Sequence, residues 1–91
     1  MGYIRVHFFA PYAKHVNRDL VEVAWRANYS VRELLQDLTD MFPGLREELS
    51  DDPQENLANF ITMIVDGGLA RPEDIIADNA DVKIFGPTCG G

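Results

Sequence analysis

The chain has 91 residues, a net charge of −7 and a single cysteine, and these features exclude several classes of protein. This length suits one small domain that folds alone. One cysteine excludes an internal disulfide framework, a cysteine-based zinc site and a four-cysteine iron–sulfur cluster. An acidic balance argues against nucleic-acid binding, and no apolar run approaches the roughly 20 residues that span a bilayer. We therefore expect a cytoplasmic protein that binds neither nucleic acid nor membrane.

The charge is unevenly distributed along the chain. Residues 1–32 hold five cationic and two acidic side chains, whereas the remaining residues hold three cationic and thirteen acidic ones. Acidic residues are concentrated between Glu47 and Glu55. This stretch is either a solvated loop that keeps the protein soluble or a surface that steers it towards a basic partner.

Alternation of apolar and polar residues predicts two strands near the start of the chain. The alternation covers residues 3–9 and returns over residues 20–25. Two strands this close in sequence predict an antiparallel hairpin. His7 is predicted on the outer face of the first strand and His15 in the connecting loop. Neither has a partner at the spacing of metal ligands, so no metal site is predicted.

A helix is predicted next. Ser30 and Glu33 have the spacing of a capping box, in which each side chain accepts a hydrogen bond from the other residue's backbone N–H. Apolar residues at helical spacing predict one buried stripe, formed by Val31, Leu34, Leu35, Leu38, Met41 and Phe42. Pro43 and Gly44 predict the end of the helix. Residues 45–58 predict a short helical turn followed by an acidic loop.

The second half of the chain predicts two further strands. Residues 60–65 are densely apolar and typical of a buried strand, and Asp66-Gly67-Gly68 predicts a turn after it. Residues 69–80 predict a loop with a brief extended or 3₁₀ piece, in which Ile75 and Ile76 fill the core. Residues 82–85 then form the last predicted strand.

The order of these elements predicts the fold. One long helix among the strands indicates an α+β protein, with the helix packed across one face of a mixed sheet. In the common topology for this order of elements, the first and last strands lie side by side in the middle of the sheet, which is the β-grasp arrangement. We expect Val82 and Ile84 to point inward, a β-grasp domain over residues 1–85, and an extended flexible tail over residues 86–91.

The tail carries the predicted functional group. A Gly90-Gly91 end has no Cβ atom, so a narrow slot can close around it and receive the carboxylate of Gly91. The alternative is that these glycines belong to a disordered chain end that has no function. Pro87 stiffens the root of the tail, and Thr88 and Cys89 are expected to contact a partner. The Cys89 thiol either exchanges sulfur near the reactive carbonyl or is simply small enough for the slot.

Two aromatic residues are candidates for partner binding. If Val82 and Ile84 point inward, Phe85 points outward beside the tail, where an exposed aromatic suits an interface anchor. The alternative is a sheet-face residue that a loop covers. Phe60, at the start of the preceding strand, is the second candidate.

Several segments together resemble one known family, the ubiquitin-like sulfur carriers. The resemblance is strongest to the small subunit of molybdopterin synthase and weaker to the thiamine sulfur carrier. The matching segments are residues 6–10, 30–35, 42–45, 64–67 and 82–91. They cover nearly the whole chain in the right order.

The resemblance implies a function. An E1-like adenylating enzyme would use ATP to activate the Gly91 carboxylate, and a persulfide sulfur donor would convert it to a thiocarboxylate. The acceptor would be a large catalytic subunit such as that of molybdopterin synthase. The chain is then a carrier rather than an enzyme on its own, with no bound cofactor, and it contains no GxxxxGK[ST] phosphate loop.

Three alternatives stay open. The carrier could serve cysteine or thiamine-type biosynthesis instead of molybdopterin synthesis. The chain could be a protein modifier that forms an isopeptide bond with a lysine of its target. It could also be a β-grasp interaction module whose glycines are incidental.

Overall fold

Alternating apolar residues form a five-stranded mixed sheet among the described residues. The computed structural model describes residues 2–9, 12–16, 18–47, 49, 52, 55–56 and 61–86. In chain order the elements are β1 (Tyr3–Phe8), α1 (Tyr12–Val16), β2 (Leu20–Ala24), α2 (Val31–Met41), α3 (Pro43–Glu47), β3 (Thr62–Val65), β4 (Gly68–Leu69) and β5 (Asp81–Phe85).

The strand order is β2-β1-β5-β3-β4, with the first and last strands paired in the centre. β1 runs parallel to β5 with Val6 opposite Val82, and antiparallel to β2 with Val6 opposite Val21. β3 pairs antiparallel with β5 and places Met63 opposite Ile84. All five side chains are buried in one core. The predicted α+β class, the central pairing and the inward direction of Val82 and Ile84 are confirmed.

The capping box at the start of α2 is confirmed. Ser30 Oγ accepts a hydrogen bond from the backbone N–H of Glu33 at 3.1 Å, and Ser30 N–H donates to Glu33 Oε1 at 3.0 Å. The backbone and side chain of Ser30 and the guanidinium of Arg26 lower the pKa of Glu33. The helix buries its apolar side chains against the sheet, as the predicted stripe requires, at Val31, Leu34, Leu35 and Leu38.

Two residues predicted in the core are exposed. Met41 has 47% of its surface accessible because it lies beside the outer edge of β2, where the sheet no longer covers it. Ile75 is 59% exposed. Its backbone bridges to Ser30 in extended conformation, in which consecutive side chains point in opposite directions, so only Ile76 can enter the core.

The end of α2 before Pro43 is confirmed, but the helical turn predicted from residue 45 begins two residues earlier and one predicted loop is helical. Pro43 follows the end of α2 but begins α3, because a proline lacks the N–H that the first helical turn leaves unpaired and its φ suits that turn. His15 lies in α1 rather than in a loop. α1 forms because Tyr12 and Val16, one turn apart, are both buried, and Tyr12 N–H bonds the Phe9 carbonyl at 2.9 Å. His7 lies on the outer face of β1, as predicted.

The loop before α2 and the first turns of α2 form a polar cluster around one buried tyrosine, which was not predicted from the sequence. Tyr29 is fully buried, and its hydroxyl donates a hydrogen bond to Asp37. The guanidinium of Arg26 lies 4.1 Å from the centre of the Tyr29 ring and contacts Asp37 and Glu33, each at 3.3 Å. Burial and the Asp37 hydrogen bond raise the pKa of Tyr29 above its ordinary value of 10.0.

This raised pKa predicts alkaline sensitivity. The folded state favours the protonated phenol, so the stabilisation is complete below the unfolded pKa near 10 and is lost as the pH rises through the higher folded pKa. We expect the free energy of unfolding, measured with urea, to fall above about pH 10. Tyr29→Phe should lose about 1 kcal/mol at pH 7 with the hydrogen bond but flatten the alkaline slope. Tyr3→Phe, which removes a half-exposed phenol, is the control and should keep the slope.

Candidate functional site

The candidate site is the end of β5, where the chain leaves the sheet towards its glycines. β5 is a central strand, and its last residue, Phe85, is half-buried. The Phe85 ring stacks on Phe9 with centroids 4.5 Å apart and an interplanar angle of 14°. Phe9 N–H also donates to the Ile84 carbonyl at 2.9 Å. Side chain and backbone together fix the point from which the tail departs.

Phe85 therefore combines the two interpretations that the sequence left open. One face of its ring is covered by Phe9, which lies in the connection after β1, while the pair as a whole reaches solvent because Phe9 is 41% exposed. The sequence analysis missed Phe9 as a site residue. The sequence does contain an indication of its role. Phe9 comes two positions after His7, so alternation places it on the outer face, where a polar residue is expected.

A polar cluster ties the start of β5 to β1 on the outer face of the sheet. His7 Nε2 lies 2.9 Å from Asp81 Oδ1, and Arg5 Nε lies 3.6 Å from the same oxygen. Arg5 Nη1 also donates to Asn79 Oδ1 at 3.1 Å. The hydrogen bond with His7 and the charge of Arg5 lower the pKa of Asp81. These contacts hold the strand that leads to the tail in register.

Exposed and half-buried apolar side chains surround this polar cluster on the outer face. The strand register places Leu20, His7, Lys83 and Ile64 in one row across the sheet. We name as the open face the apolar members of this surface, which are Phe9, Leu20, Ile64 and Phe85. Leu20 is 46% exposed. An apolar surface with a cationic centre at Lys83, directly beside the root of the tail, suits a protein partner.

The other predicted site residues lie outside the described residues. They are Phe60, Pro87, Thr88, Cys89, Gly90 and Gly91. The prediction of an extended flexible tail over residues 86–91 falls on the same segment, of which only Gly86 is described. The strand predicted to start at Phe60 is described from Thr62 to Val65.

The described residues show neither a cluster of metal ligands nor a membrane-spanning helix. No group of three or more His, Cys, Asp or Glu side chains is arranged to hold a metal ion among the residues whose positions are given. Among those residues, no helix has the length and apolar character needed to cross a membrane.

A mixed β-grasp sheet whose central last strand leads to a diglycine sequence defines a ubiquitin-like protein. The model of the ThiS family matches residues 6–91. The chain belongs to the ThiS family of ubiquitin-like sulfur carriers. Sulfur carriers of this family are not catalytic, and membership implies an E1-like activating enzyme as a partner. No curated protein matches the chain by sequence.

Solved structures share the fold at low sequence identity. Small archaeal modifier protein 1 from Haloferax volcanii is 24% identical, with a TM-score of 0.81 over 99% of this chain and 100% of that one. A Pyrococcus furiosus protein, provisionally assigned as molybdopterin converting factor subunit 1, is 18% identical, with a TM-score of 0.81 over 97% and 100%. Small archaeal modifier protein 1 from Methanosarcina acetivorans is 20% identical, with a TM-score of 0.74 over 100% and 98%.

Proposed function

We propose that the Gly91 carboxylate is adenylated by an E1-like enzyme and converted to a thiocarboxylate that donates sulfur in molybdopterin synthesis. One observation carries this proposal: the family match extends through Gly91, on a fold whose central strand leads towards that residue. The globular domain then provides the surface that partner enzymes bind, and the tail carries the reactive group.

The chemistry explains why partners are required. A carboxylate is a poor electrophile until one oxygen becomes part of a leaving group. A carboxylate oxygen of Gly91 attacks the α-phosphorus of ATP, and pyrophosphate leaves. The terminal sulfur of a persulfide then attacks the carbonyl carbon and expels AMP. A second thiol cleaves the resulting acyl disulfide, forms a disulfide with the donor sulfur and releases the thiocarboxylate.

The geometry of the described body supports docking outside the catalytic cavity of a partner. Six residues from Gly86 to Gly91 extend by at most about 20 Å. A partner that binds the open face can therefore receive the carboxyl group in a deep slot without admitting the body. Glycines at the tip allow the slot to be narrow, because no side chain has to pass.

The pathway that receives the sulfur is proposed from likeness to other proteins. Molybdopterin synthesis is supported by the sequence resemblance and by the provisional assignment of the Pyrococcus furiosus neighbour. The partner that accepts the sulfur is then a large catalytic subunit such as that of molybdopterin synthase. Sulfur delivery to cysteine or thiamine-type synthesis uses the same activated tail.

Protein modification is a second candidate, and a specific observation favours it. Two of the structural neighbours are named small archaeal modifier protein 1. A modifier shares the adenylate step but ends in an isopeptide bond between the Gly91 carbonyl and a lysine amine of the target. The same assay separates the two candidates.

The test is intact-mass spectrometry of the chain after incubation with an E1-like activating enzyme, ATP and a persulfide donor. A sulfur carrier gains the mass difference between sulfur and oxygen, and the gain disappears without ATP. A modifier instead yields a branched Gly91–lysine peptide after digestion of target proteins. A chain that shows neither product with a competent activating enzyme contradicts the proposal.

The open face predicts a docking defect that leaves the chemistry intact. Phe85→Ala removes a half-buried ring beside the tail, and loss of an interface anchor commonly costs about 2 kcal/mol. We expect KM for the activating enzyme to rise about tenfold or more with kcat little changed, measured by pyrophosphate release. Tyr3→Ala is the control, because Tyr3 is an exposed aromatic at the far end of β1. Equal KM values for both variants would contradict this docking surface.

A further inference from the structure

The outer edge of β2 presents a row of backbone groups that pair with none of the described residues. β2 is an edge strand, and Trp25 N–H donates to the Gly2 carbonyl at 2.9 Å on the β1 side. In an antiparallel ladder the direction of these groups alternates from residue to residue. Leu20, Glu22 and Ala24 therefore turn their N–H and C=O groups away from β1.

A groove between this edge and the last turns of α2 lies alongside these groups. It consists of two cavities of ≈ 570 Å³ and ≈ 340 Å³ that share Glu22 and Met41. Val21 and Phe42 contribute apolar surface to the larger cavity. Met41 is 47% exposed in the groove. An extended segment beside β2 would point every second side chain into it.

The exposed carboxylate of Glu22 favours a basic residue opposite it on the added strand. Glu22 is exposed at the middle of the strand and shares the outer face of the sheet with no carboxylate of α2, whereas Asp37 and Asp40 line the groove on the core side. Two cations also line the groove: Arg26 is paired with Asp37 at 3.3 Å, and Arg18 lies in the larger cavity, four positions before Glu22 in sequence. The carboxylate of Glu22 makes no ion pair with any described residue.

We infer that this β2–α2 groove binds an extended segment of a partner protein, which adds to the sheet as a sixth strand beside β2. The segment has an apolar-basic-apolar pattern. Its basic residue lies opposite Glu22 and shares the outer face with it, while the apolar neighbours point into the groove opposite Val21 and Val23. Main-chain hydrogen bonds supply affinity and the alternating side chains supply specificity, as in other cases of strand addition.

A second copy of this chain fits the edge less well. The antiparallel register that pairs all three outward residues of two β2 strands places the two Glu22 carboxylates directly opposite each other. Like charges at directly opposed positions destabilise a strand pair. An exposed charge at a strand edge thus disfavours self-association and favours a partner of opposite charge.

The test is an NMR titration of the full ¹⁵N-labelled chain with the synthetic peptide acetyl-Thr-Val-Lys-Val-Thr-amide. We expect amide shift changes and slower hydrogen exchange confined to Leu20, Glu22, Ala24 and the last turns of α2. The same peptide with glutamate in place of lysine should bind about three- to tenfold more weakly, because a cross-strand attraction becomes a repulsion. The assay contains neither ATP nor activating enzyme, so its outcome is independent of the proposed sulfur transfer.

Charge reversal supplies the decisive variants. Glu22→Lys should invert the preference and favour the glutamate peptide, whereas Glu73→Lys, the same change at an exposed turn residue, should keep the lysine preference. Absence of binding, equal binding of both peptides, or shift changes away from β2 and α2 would overturn the inference. Shifts of the β2 amides that depend on protein concentration without peptide would assign the edge to a second copy and overturn it as well.

Discussion

A variant that lacks Gly90 and Gly91 is expected to fold like the complete chain and to lose activation entirely. The deletion retracts the terminal carboxylate by about 7 Å. Adenylation requires the reacting atoms to approach to about 3–3.5 Å, and a misplacement of about 1 Å already costs up to roughly a hundredfold in rate. We expect no ATP-dependent mass gain and no pyrophosphate release, while the urea unfolding curve stays unchanged.

Single substitutions test why activation requires the two glycines. Either the partner's slot is too narrow for a side chain, or the tail only has to be long enough. Gly91→Ala adds one Cβ atom, and overpacking of a close-fitting site costs about 1–3 kcal/mol, so activation should slow by about ten- to a hundredfold. Gly68→Ala is the matched control. A Cβ atom there would meet only the Val65 carbonyl oxygen, at an ordinary contact distance of 3.7 Å. Sulfur loading of Gly91→Ala at the rate of the Gly68→Ala control would mean that the tip is not enclosed.

The central sheet and α2 were predictable because their signals are local. Alternation over residues 3–9 and 82–85 specifies which side chains face the core, and a helix lies between the first two strands and the rest, so the β-grasp order follows. The capping box marks the start of α2 because both of its hydrogen bonds join residues three positions apart. Nothing distant is required for either inference.

The errors arise where a tertiary contact decides the local structure. α1 is one turn long, and its existence depends on the burial of Tyr12 and Val16 rather than on helix propensity. Ile75 and Ile76 are chemically equivalent in sequence, and only the hydrogen bond from Ile76 N–H to the Tyr29 carbonyl, 2.7 Å long, settles which one points inward. The exposure of Met41 likewise depends on where β2 ends the sheet.

The candidate site likewise combines a feature that the local sequence predicts with contacts that only the fold creates. The outward direction of Phe85 follows from the alternation of the last strand, but its stacking partner Phe9 lies directly after β1, more than seventy positions away in sequence. The register between β1 and β5 brings them together. The cluster of buried Tyr29 with the accessible side chains of Arg26 and Asp37 cannot be predicted from periodicity either, since Tyr29 lies between two predicted elements.

Leu34→Ala is expected to produce the largest loss of stability among the substitutions considered. Leu34 is fully buried on α2, and replacing a buried leucine by alanine costs about 2–5 kcal/mol. A small domain has a net stability of about 5–15 kcal/mol, so the loss is a large share of the total. Urea unfolding should show a lower midpoint with an unchanged m-value. Arg32→Ala, an exposed change on the same helix, is the control and should stay within about 0.5 kcal/mol.

Measured together, Leu34→Ala and the Gly90-Gly91 deletion separate the body from the tail. The deletion should abolish activation at full stability. Leu34→Ala should lower stability, whereas pyrophosphate release per folded molecule should stay near the wild-type rate, because Leu34 lies in the core, on the side of the sheet opposite the open face. If folded Leu34→Ala protein were not activated, the packing of α2 would be required to position the docking surface. The globular domain would then contribute to activation beyond binding the partner.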